Sequence, residues 1–182
     1  MENEFDVVVV GAGISGIGAG AHFNLKCPDQ TYVILEGRES FGGTWDLFKY
    51  PGIRSDSDMH TLGYSFKPWV HKKSIANAPA IMEYLEETID EYELHPHIRY
   101  NHHVETANWS PKEGKWIVSV TDKVNNKEII FKGKLLYMCS GYYKYAHGYE
   151  PKFEGSENFQ GQIVHPQKWS DDVEYENKEV VV

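Results

Sequence analysis

The first 36 residues show the hydrophobic pattern of a strand, a helix and a second strand. Residues 5–10 form a short apolar, β-branched run closed by glycines, which is typical of a buried parallel strand. Apolar positions then recur at helical spacing from Ile14 to Lys26, and Pro28 ends this helix because proline cannot continue the hydrogen-bond ladder. A second apolar run, residues 32–35, stops at Glu36. Such a unit predicts a parallel sheet.

The middle of the chain predicts an irregular segment followed by an amphipathic helix. Residues 41–67 are rich in Gly, Asp, Ser and aromatic residues without periodicity, and irregular segments of this length usually carry function. Asn77 can cap the next helix. Its apolar stripe comprises Ile81, Leu85, Ile89 and Tyr92, and its solvated face comprises Glu83, Glu86, Glu87, Asp90 and Glu91.

A β-meander is expected at about residues 103–132, inserted into the parallel fold. Alternation over residues 116–120 indicates one strand, and Asn125-Asn126 offers a turn before another at 128–131. Residues 135–139 should return to the parallel sheet as a buried strand.

Three groups of conspicuous residues have structural interpretations. His102-His103 lies beside a predicted strand, where neighbouring side chains face opposite ways, so no metal site is expected. Trp109 and Trp116 flank a turn and should pair across the meander, as core rather than as ligand contacts. A further group could wall a ligand or pack at the solvent edge, and it comprises Tyr142, Tyr143 and Tyr145.

Composition narrows the class of protein. The 182 residues suffice for one domain with a sizeable core, and the net charge of -9 argues against nucleic acid or an anionic membrane as partner. A small-molecule site is the better expectation. Cys27 and Cys139 lack the spacing of a disulfide framework or zinc site, which fits a reducing cytoplasm. No basic leader precedes the first strand and no apolar stretch reaches the roughly 20 residues of a membrane span, so we expect a soluble cytoplasmic protein.

Residues 11–16, GAGISG, match G-x-G-x-x-G between the first strand and helix. In this motif Gly11 permits a tight turn, Gly13 lets the backbone approach a diphosphate, and Gly16 lets helix and strand pack closely. Glu36 lies twenty residues beyond Gly16 at the end of the second strand, where an acid accepts hydrogen bonds from a ribose diol. The motif therefore predicts a dinucleotide site, with FAD or NAD favoured over NADP.

Two longer motifs carry a family resemblance. Residues 43–56 match G-x-W-x-x-x-x-Y-P-G-x-x-x-D, and residues 159–169 match F-x-G-x-x-x-H-x-x-x-W. The chain thereby resembles the Baeyer–Villiger flavoprotein monooxygenases along essentially its whole length. Over residues 42–69 it is most similar to the bacterial ethionamide-activating monooxygenases. Flavin monooxygenases that oxidise sulfur or nitrogen usually end the second motif in Tyr, so Trp169 favours the Baeyer–Villiger type.

The resemblance implies an α/β fold, a Rossmann-like FAD-binding domain with a parallel sheet and an inserted β-meander. Residues 1–150 would form that domain, and residues 151–177 a linker that carries the second motif. Residues 178–182 look like a strand beginning and would start a truncated NADPH-binding domain. The rest of that domain, with its own glycine motif, would lie beyond this sequence, so the chain alone should not complete turnover.

The resemblance also implies roles for individual residues. FAD would be bound by Gly11, Gly13, Ser15, Gly16, Glu36, Gly43, Thr44, Trp45, Asp46, Leu47, Asp56, Val104, Ser140 and Gly141. Arg54 and Asp56 would border the nicotinamide of NADPH as catalytic residues. A carboxylate beside an arginine also orients the guanidinium and suits the clamping of an anion, although the pair could be a simple loop ion pair. For His165 a structural hydrogen bond or a part in domain movement is expected rather than proton transfer.

The implied reaction uses NADPH, FAD and O2 to convert a ketone into an ester or lactone, with thioethers as further possible substrates. Three alternatives remain open on the residues: an N- or S-oxidising flavin monooxygenase, an FAD reductase, and a non-catalytic nucleotide-binding module. Neither the substrate nor the oligomeric state can be inferred from the sequence.

Overall fold

A computed structural model describes residues 3–182, which form one mixed sheet with helices packed against it. Its helices and strands are β1 (Glu4–Val10), α1 (Ile14–Lys26), β2 (Tyr32–Leu35), α2 (Thr44–Leu47), α3 (Met59–Leu62), α4 (Ala78–Glu91), β3 (Ile98–Arg99), β4 (His102–Ser110), β5 (Lys115–Asp122) and β6 (Lys127–Met138). Single turns of 3-10 helix occur at His95–His97, Ser156–Asn158 and Pro166–Lys168. Within the described residues, none of the helices has the length and apolar character needed to cross a bilayer.

The six strands lie in the order β3-β2-β1-β6-β5-β4. β1 pairs in parallel with both β2 and β6, and β3 extends the parallel part beyond β2. β4, β5 and β6 pair antiparallel as consecutive hairpins. The predicted α/β fold, with a parallel sheet and an inserted meander, is confirmed.

β6 corrects the prediction of two separate strands at 128–131 and 135–139. Residues 127–133 pair with β5, while residues 132–138 pair with β1, so a single strand joins the meander to the parallel sheet. Gly133 lies at the change of partner, where a β-carbon would come within 2.8 Å of the Val8 side chain.

The expected burial of the last part of β6 is wrong. Leu135, Tyr137 and Met138 are 49%, 48% and 59% exposed. The physical reason is that β5 ends its pairing at Gly133, so within residues 3–182 no strand covers the other edge of β6 beyond that point. The sequence pattern reports hydrophobicity, whereas burial needs a neighbour.

Two apolar clusters occupy opposite faces of β1. Val7 and Val9 pack with residues of α1 and α4, including the buried Ile17 and Leu85. Val8 belongs to the second cluster, which also comprises Val33, Leu35, Val118, Val120 and Phe131. Because neighbouring side chains of a strand face opposite ways, β1 is covered by helices on one face and by the meander on the other.

Helix α4 agrees with its predicted amphipathic pattern. Ile81, Leu85 and Ile89 are completely buried, and the five acidic residues of the opposite face are exposed. Lys67 approaches this face and forms ion pairs with Glu87 and Glu91 at 3.4 and 2.6 Å. The helix therefore fixes part of the irregular segment as well as the core.

The irregular segment is attached to the helices by two tyrosines. The Tyr84 hydroxyl on α4 donates to the carbonyl of Lys67 at 2.6 Å and accepts from the backbone N–H of Tyr64 at 2.8 Å. The Tyr64 hydroxyl donates to the carbonyl of Ile14 at 2.5 Å, and its ring packs against Gly18 of α1. Burial raises the pKa of Tyr64 well above its usual range, which keeps this donor protonated.

Other local expectations have mixed outcomes. Trp109 and Trp116 face each other across β4 and β5 with ring centres 5.7 Å apart, as predicted. However, Trp109 is 48% exposed and does not belong to the core. Residues 178–182 do not form a strand in this structure.

Removal of the cap of α4 should destabilise the protein. The side-chain oxygen of Asn77 accepts from the backbone N–H of Ala80 at 3.1 Å, so Asn77→Ala should lower the free energy of unfolding by about 1 kcal/mol. Asn77→Asp keeps the acceptor and should resemble the wild type in thermal or urea denaturation. Equal stability of the alanine variant and the wild type would contradict this assignment.

Candidate functional site

The glycine motif forms a tight loop between β1 and α1. Gly11 has a φ of 102°, and a β-carbon there would lie 2.5 Å from the carbonyl oxygen of Cys139. A β-carbon on Gly16 would lie 1.8 Å from the carbonyl oxygen of Gly11. Gly11 therefore makes the turn and Gly16 allows the close packing of helix on strand, which are the structural tasks that the motif assigns to them.

Gly13 differs from these two because a β-carbon there would make only ordinary van der Waals contact, so its surroundings are less crowded. Its backbone is extended, with φ −77° and ψ −172°, and it precedes the first residue of α1. Beyond its chain neighbours, a β-carbon there would meet only Gly43, at 3.7 Å. The free N–H groups at the start of α1 are thus approachable by an anion along the Gly13 side.

Glu36 connects the end of β2 to the glycine loop. Its side chain is buried, at 6% exposure. One carboxylate oxygen accepts from the backbone N–H of Ala12 at 2.8 Å, and the other accepts from the backbone N–H of Arg38 at 2.9 Å. Each carboxylate oxygen can accept more than one hydrogen bond, so the residue can hold the loop and still receive a ribose hydroxyl.

The Gly43–Leu47 turn lies against the same loop. The backbone N–H of Gly42 donates to the carbonyl of Ala12 at 2.9 Å. Asp46 is engaged in two ion pairs, with Arg38 at 2.7 Å and with Lys49 at 3.0 Å. Its carboxylate therefore positions α2 relative to β2, which the sequence did not reveal.

Trp45 and Leu47 are half-buried on α2, as is Thr44. Trp45 lines an open cleft of about 400 Å³ whose walls are mostly apolar or aromatic, with Lys49 and Asn77 as polar exceptions. An apolar and aromatic lining of this kind suits a flat ring system.

Arg54 and Asp56 lie in a neighbouring cleft of about 560 Å³, which is lined by Tyr50, Gly52, Arg54, Ser55, Asp56 and Ile75. Both side chains are exposed, and within residues 3–182 neither forms an ion pair. The expectation that the Asp56 carboxylate orients the Arg54 guanidinium is therefore wrong, and so is the alternative of a simple loop ion pair between them. They are instead two separate charges facing one opening.

The backbone around Asp56 is fixed by its neighbours. The backbone N–H of Ser55 donates to the carbonyl of Ala76 at 2.8 Å, and Arg54 pairs with Asn77 as an isolated bridge. The buried Ser55 hydroxyl donates to the carbonyl of Ser57 at 2.5 Å and accepts its N–H at 3.1 Å. Asp56 is thereby held at the tip of a closed turn.

The other predicted site residues are distributed around the glycine loop. Ser15 is exposed in the first turn of α1. The Ser140 backbone lies 3.4 Å from the β-carbon position of Gly11, which places the Ser140-Gly141 turn beside the loop. Val104 is half-buried two residues after His102, whose N–H donates to the Glu36 carbonyl at 2.8 Å.

The structure thus arranges the predicted residues in two regions. The first region is the loop between β1 and α1, and it comprises Gly11, Gly13, Gly16, Glu36 and the Gly43 turn. Arg54 and Asp56 line a separate opening, and among the described residues no hydrogen bond links them to the glycine loop.

The second sequence motif contains a local hydrogen bond. His165 Nδ1 accepts from the backbone N–H of Gln167 at 3.1 Å, at the start of a turn of 3-10 helix. The ring also packs directly on the backbone of Gly148. This geometry supports the structural interpretation of His165. Trp169 packs against Tyr175 with ring centres 5.6 Å apart.

Histidines elsewhere have ordinary surroundings. His102 Nδ1 lies 2.7 Å from the carbonyl of Tyr100, and His103 packs beside Gly37. Within residues 3–182 no three His, Cys, Asp or Glu side chains are grouped as metal ligands.

Sequence reasoning missed Arg38 and Ser55 as site residues and did not separate Tyr145 from its two neighbours. The position of Arg38, two residues after the acid that ends β2, was the one available signal. Ser55 acts through a turn with Ser57 inside the first of the two longer motifs. Tyr145 acts through its contact with Gly43, which is about a hundred residues earlier in the chain.

The chain matches one protein family and has close relatives in sequence. Residues 5–182 match the FMO-like family, described as flavin-binding monooxygenase-like. The chain is 52% identical over its full length to the FAD-containing monooxygenase EthA of Mycolicibacterium smegmatis, and it spans 37% of that relative.

The chain also resembles solved structures of monooxygenases. A steroid monooxygenase bound to NADP aligns with a TM-score of 0.74 and 30% identity, over 93% of this chain and 32% of its own. Cyclohexanone monooxygenase from Rhodococcus sp. Phi1, bound to NADP+, aligns with a TM-score of 0.74 and 28% identity, over 94% of this chain and 32% of its own. The chain therefore spans about a third of the proteins it matches.

Substitution of two glycines should separate folding from ligand binding. Gly16→Ala places a methyl group against the Gly11 carbonyl and should cost about 3 kcal/mol or more of stability. Gly13→Ala meets no close atom and has a permitted backbone conformation, so its melting temperature should match or slightly exceed that of the wild type. Thermal denaturation of both variants measures the difference, and equal destabilisation would contradict the less crowded surroundings of Gly13.

The thiol beside the glycine loop should be unreactive. Burial raises the pKa of Cys139 to about 11, so little thiolate forms at pH 8, whereas Cys27 is exposed. Iodoacetamide should therefore modify Cys27 but not Cys139 in the folded protein, as mass spectrometry of peptides would show. Cys27→Ser should then remain unlabelled until guanidinium chloride unfolds it; rapid labelling of this folded variant would refute the assignment.

Proposed function

The chain belongs to the flavin-binding monooxygenase-like family, and we propose that it is the FAD-binding part of a monooxygenase that uses NADPH and O2. The proposed reaction is the Baeyer–Villiger oxidation of a ketone to an ester or lactone. The observation that carries the cofactor assignment is the uncrowded position of Gly13 at the start of α1, with buried Glu36 fixed against the same loop.

The residues of the loop fit FAD. The N–H groups at the start of α1, with Gly11, Gly13 and Ser15, would bind the diphosphate. Glu36 would accept hydrogen bonds from the ribose diol, and its charge would repel a 2′-phosphate.

Further contacts would come from the surrounding elements. The Thr44–Leu47 helix, with Trp45 in an apolar cleft, would line the flavin ring. Val104 would contact the adenine, because β4 starts beside Glu36. Ser140-Gly141 would close the loop from the side of β6. Bound FAD would supply the redox chemistry with O2, while the protein orients the reactants and excludes water.

Arg54 and Asp56 would act at the nicotinamide of NADPH. Their exposed, separate charges face one cleft, and a closed turn at Ser55 holds them there. A guanidinium without an internal partner can bind an anionic group. The turn would keep the carboxylate from collapsing onto that guanidinium.

The ketone substrate is supported by Trp169 in the second motif and by relatives whose names include cyclohexanone and steroid monooxygenases. Oxidation of thioethers by an N- or S-oxidising type of enzyme is the alternative. Parallel assays of the whole protein with a cyclic ketone and a thioether would decide between them.

The domain division is also a proposal. Residues 1–150 would be the FAD-binding domain, residues 151–177 the linker with His165, and residues 178–182 the start of the NADPH-binding domain. The chain spans 37% of its relative from Mycolicibacterium smegmatis, so a second nucleotide site would be contributed by the remaining length. By itself this chain would bind nucleotide without completing turnover.

An absorbance spectrum tests the cofactor assignment. After incubation with FAD and removal of the excess, the wild-type chain should show flavin bands near ~450 nm that dithionite bleaches. Gly13→Ala should fold but lose these bands, because its methyl group occupies the approach to the loop. A protein that stays colourless both as this chain and as a full-length product would refute FAD as the cofactor.

A further inference from the structure

Three tyrosines follow the Ser140-Gly141 turn, and only one faces the glycine loop. Tyr142 is 89% exposed and Tyr143 is 42% exposed. Tyr143 instead packs its ring on Phe48, with ring centres 5.2 Å apart. Tyr145 is half-buried and turns towards Gly43. The three tyrosines, which the sequence analysis treated alike, therefore have different surroundings.

The Tyr145 hydroxyl lies beside the place where a diphosphate would approach the loop. A β-carbon on Gly43 would be 3.2 Å from this hydroxyl and 3.1 Å from the α-carbon of Gly13. The Tyr145 hydroxyl and the α-carbon of Gly13 therefore both lie next to the position that a β-carbon of Gly43 would occupy. Gly43 has a φ of 56° and no side chain, so no side chain at that position separates the phenol from Gly13.

Contacts with two residues, Arg38 and Gln167, hold Tyr145 in this orientation. Its ring lies 6.0 Å from the Arg38 guanidinium carbon, within the range of a cation–π contact. The Gln167 side-chain amide donates to the Tyr145 carbonyl at 2.9 Å and to the Lys144 carbonyl at 3.0 Å. The segment of the second motif thus fixes the backbone, while Arg38 fixes the ring.

The environment keeps the phenol protonated. Burial raises the pKa of Tyr145, and the nearby Glu36 carboxylate raises it further. A hydrogen bond with the Thr44 side chain lowers the pKa by a smaller amount. A protonated phenol is a hydrogen-bond donor at neutral pH, and phosphate oxygens accept such bonds strongly.

We propose that the Tyr145 hydroxyl donates a hydrogen bond to the diphosphate of the bound dinucleotide, from the side of Gly43. This inference rests on the proposed function, because it takes the glycine loop to be the dinucleotide site.

Tyr145→Phe tests the hydrogen bond without disturbing the ring packing on Arg38. A hydrogen bond to a charged acceptor is worth about 1.5–3 kcal/mol, so the variant should bind FAD roughly ten- to a hundredfold more weakly. ADP carries the same diphosphate and should weaken by a similar factor when it competes with FAD. Tyr142→Phe is the matched control, since it removes an exposed hydroxyl three residues away, and its affinity should equal that of the wild type.

The 31P spectrum of bound FAD gives a second readout that overall stability would not shift. A phosphorus resonance should move between the wild type and Tyr145→Phe and should coincide between the wild type and Tyr142→Phe. Unchanged FAD affinity in Tyr145→Phe would overturn the inference. A loss for FAD without a loss for ADP would place the contact on the flavin half and overturn it too. Failure of the wild type, as this chain and at full length, to bind either ligand would instead overturn the proposed function on which the inference rests.

Discussion

The packing of α1 onto the end of β1 is the constraint on which the site depends. Gly16 lies so close to the Gly11 carbonyl that no side chain could fit between them. This contact fixes the direction of the helix and therefore of its free N–H groups, which point to the less crowded side at Gly13. Glu36 and the Gly43 turn are arranged around the same loop.

Buried Glu36 and the half-buried charged residues Arg38 and Asp46 then join distant parts of the chain to the loop. Glu36 uses both carboxylate oxygens to connect the loop at Ala12 with the backbone of Arg38, three residues after the end of β2. Arg38 continues the connection to Asp46 on α2. Buried charged groups of this kind are costly unless they are satisfied, and here each has specific partners. The result is a preorganised loop that does not have to form when a ligand arrives.

The second region is built on different principles. Arg54 and Asp56 lie on a segment with little regular structure, yet Ser55 and the start of α4 give it a defined conformation. The two charges remain available to a ligand because neither is neutralised by the other. The glycine loop presents mainly backbone groups, whereas this cleft presents two charged side chains.

Local pattern was enough to determine the strand–helix–strand unit, the amphipathic helix α4, the meander and the glycine motif, because each depends on neighbours a few residues apart. The motifs of the irregular segment also pointed to the correct family. Tertiary structure decided what sequence spacing cannot encode. It made one strand of β6 and left Tyr137 exposed, since pairing and burial depend on which strands lie alongside. It also brought Tyr145 to Gly43 and engaged Asp46 with Arg38. Such contacts arise only when separate segments pack together, so hydrophobic periodicity carries no record of them.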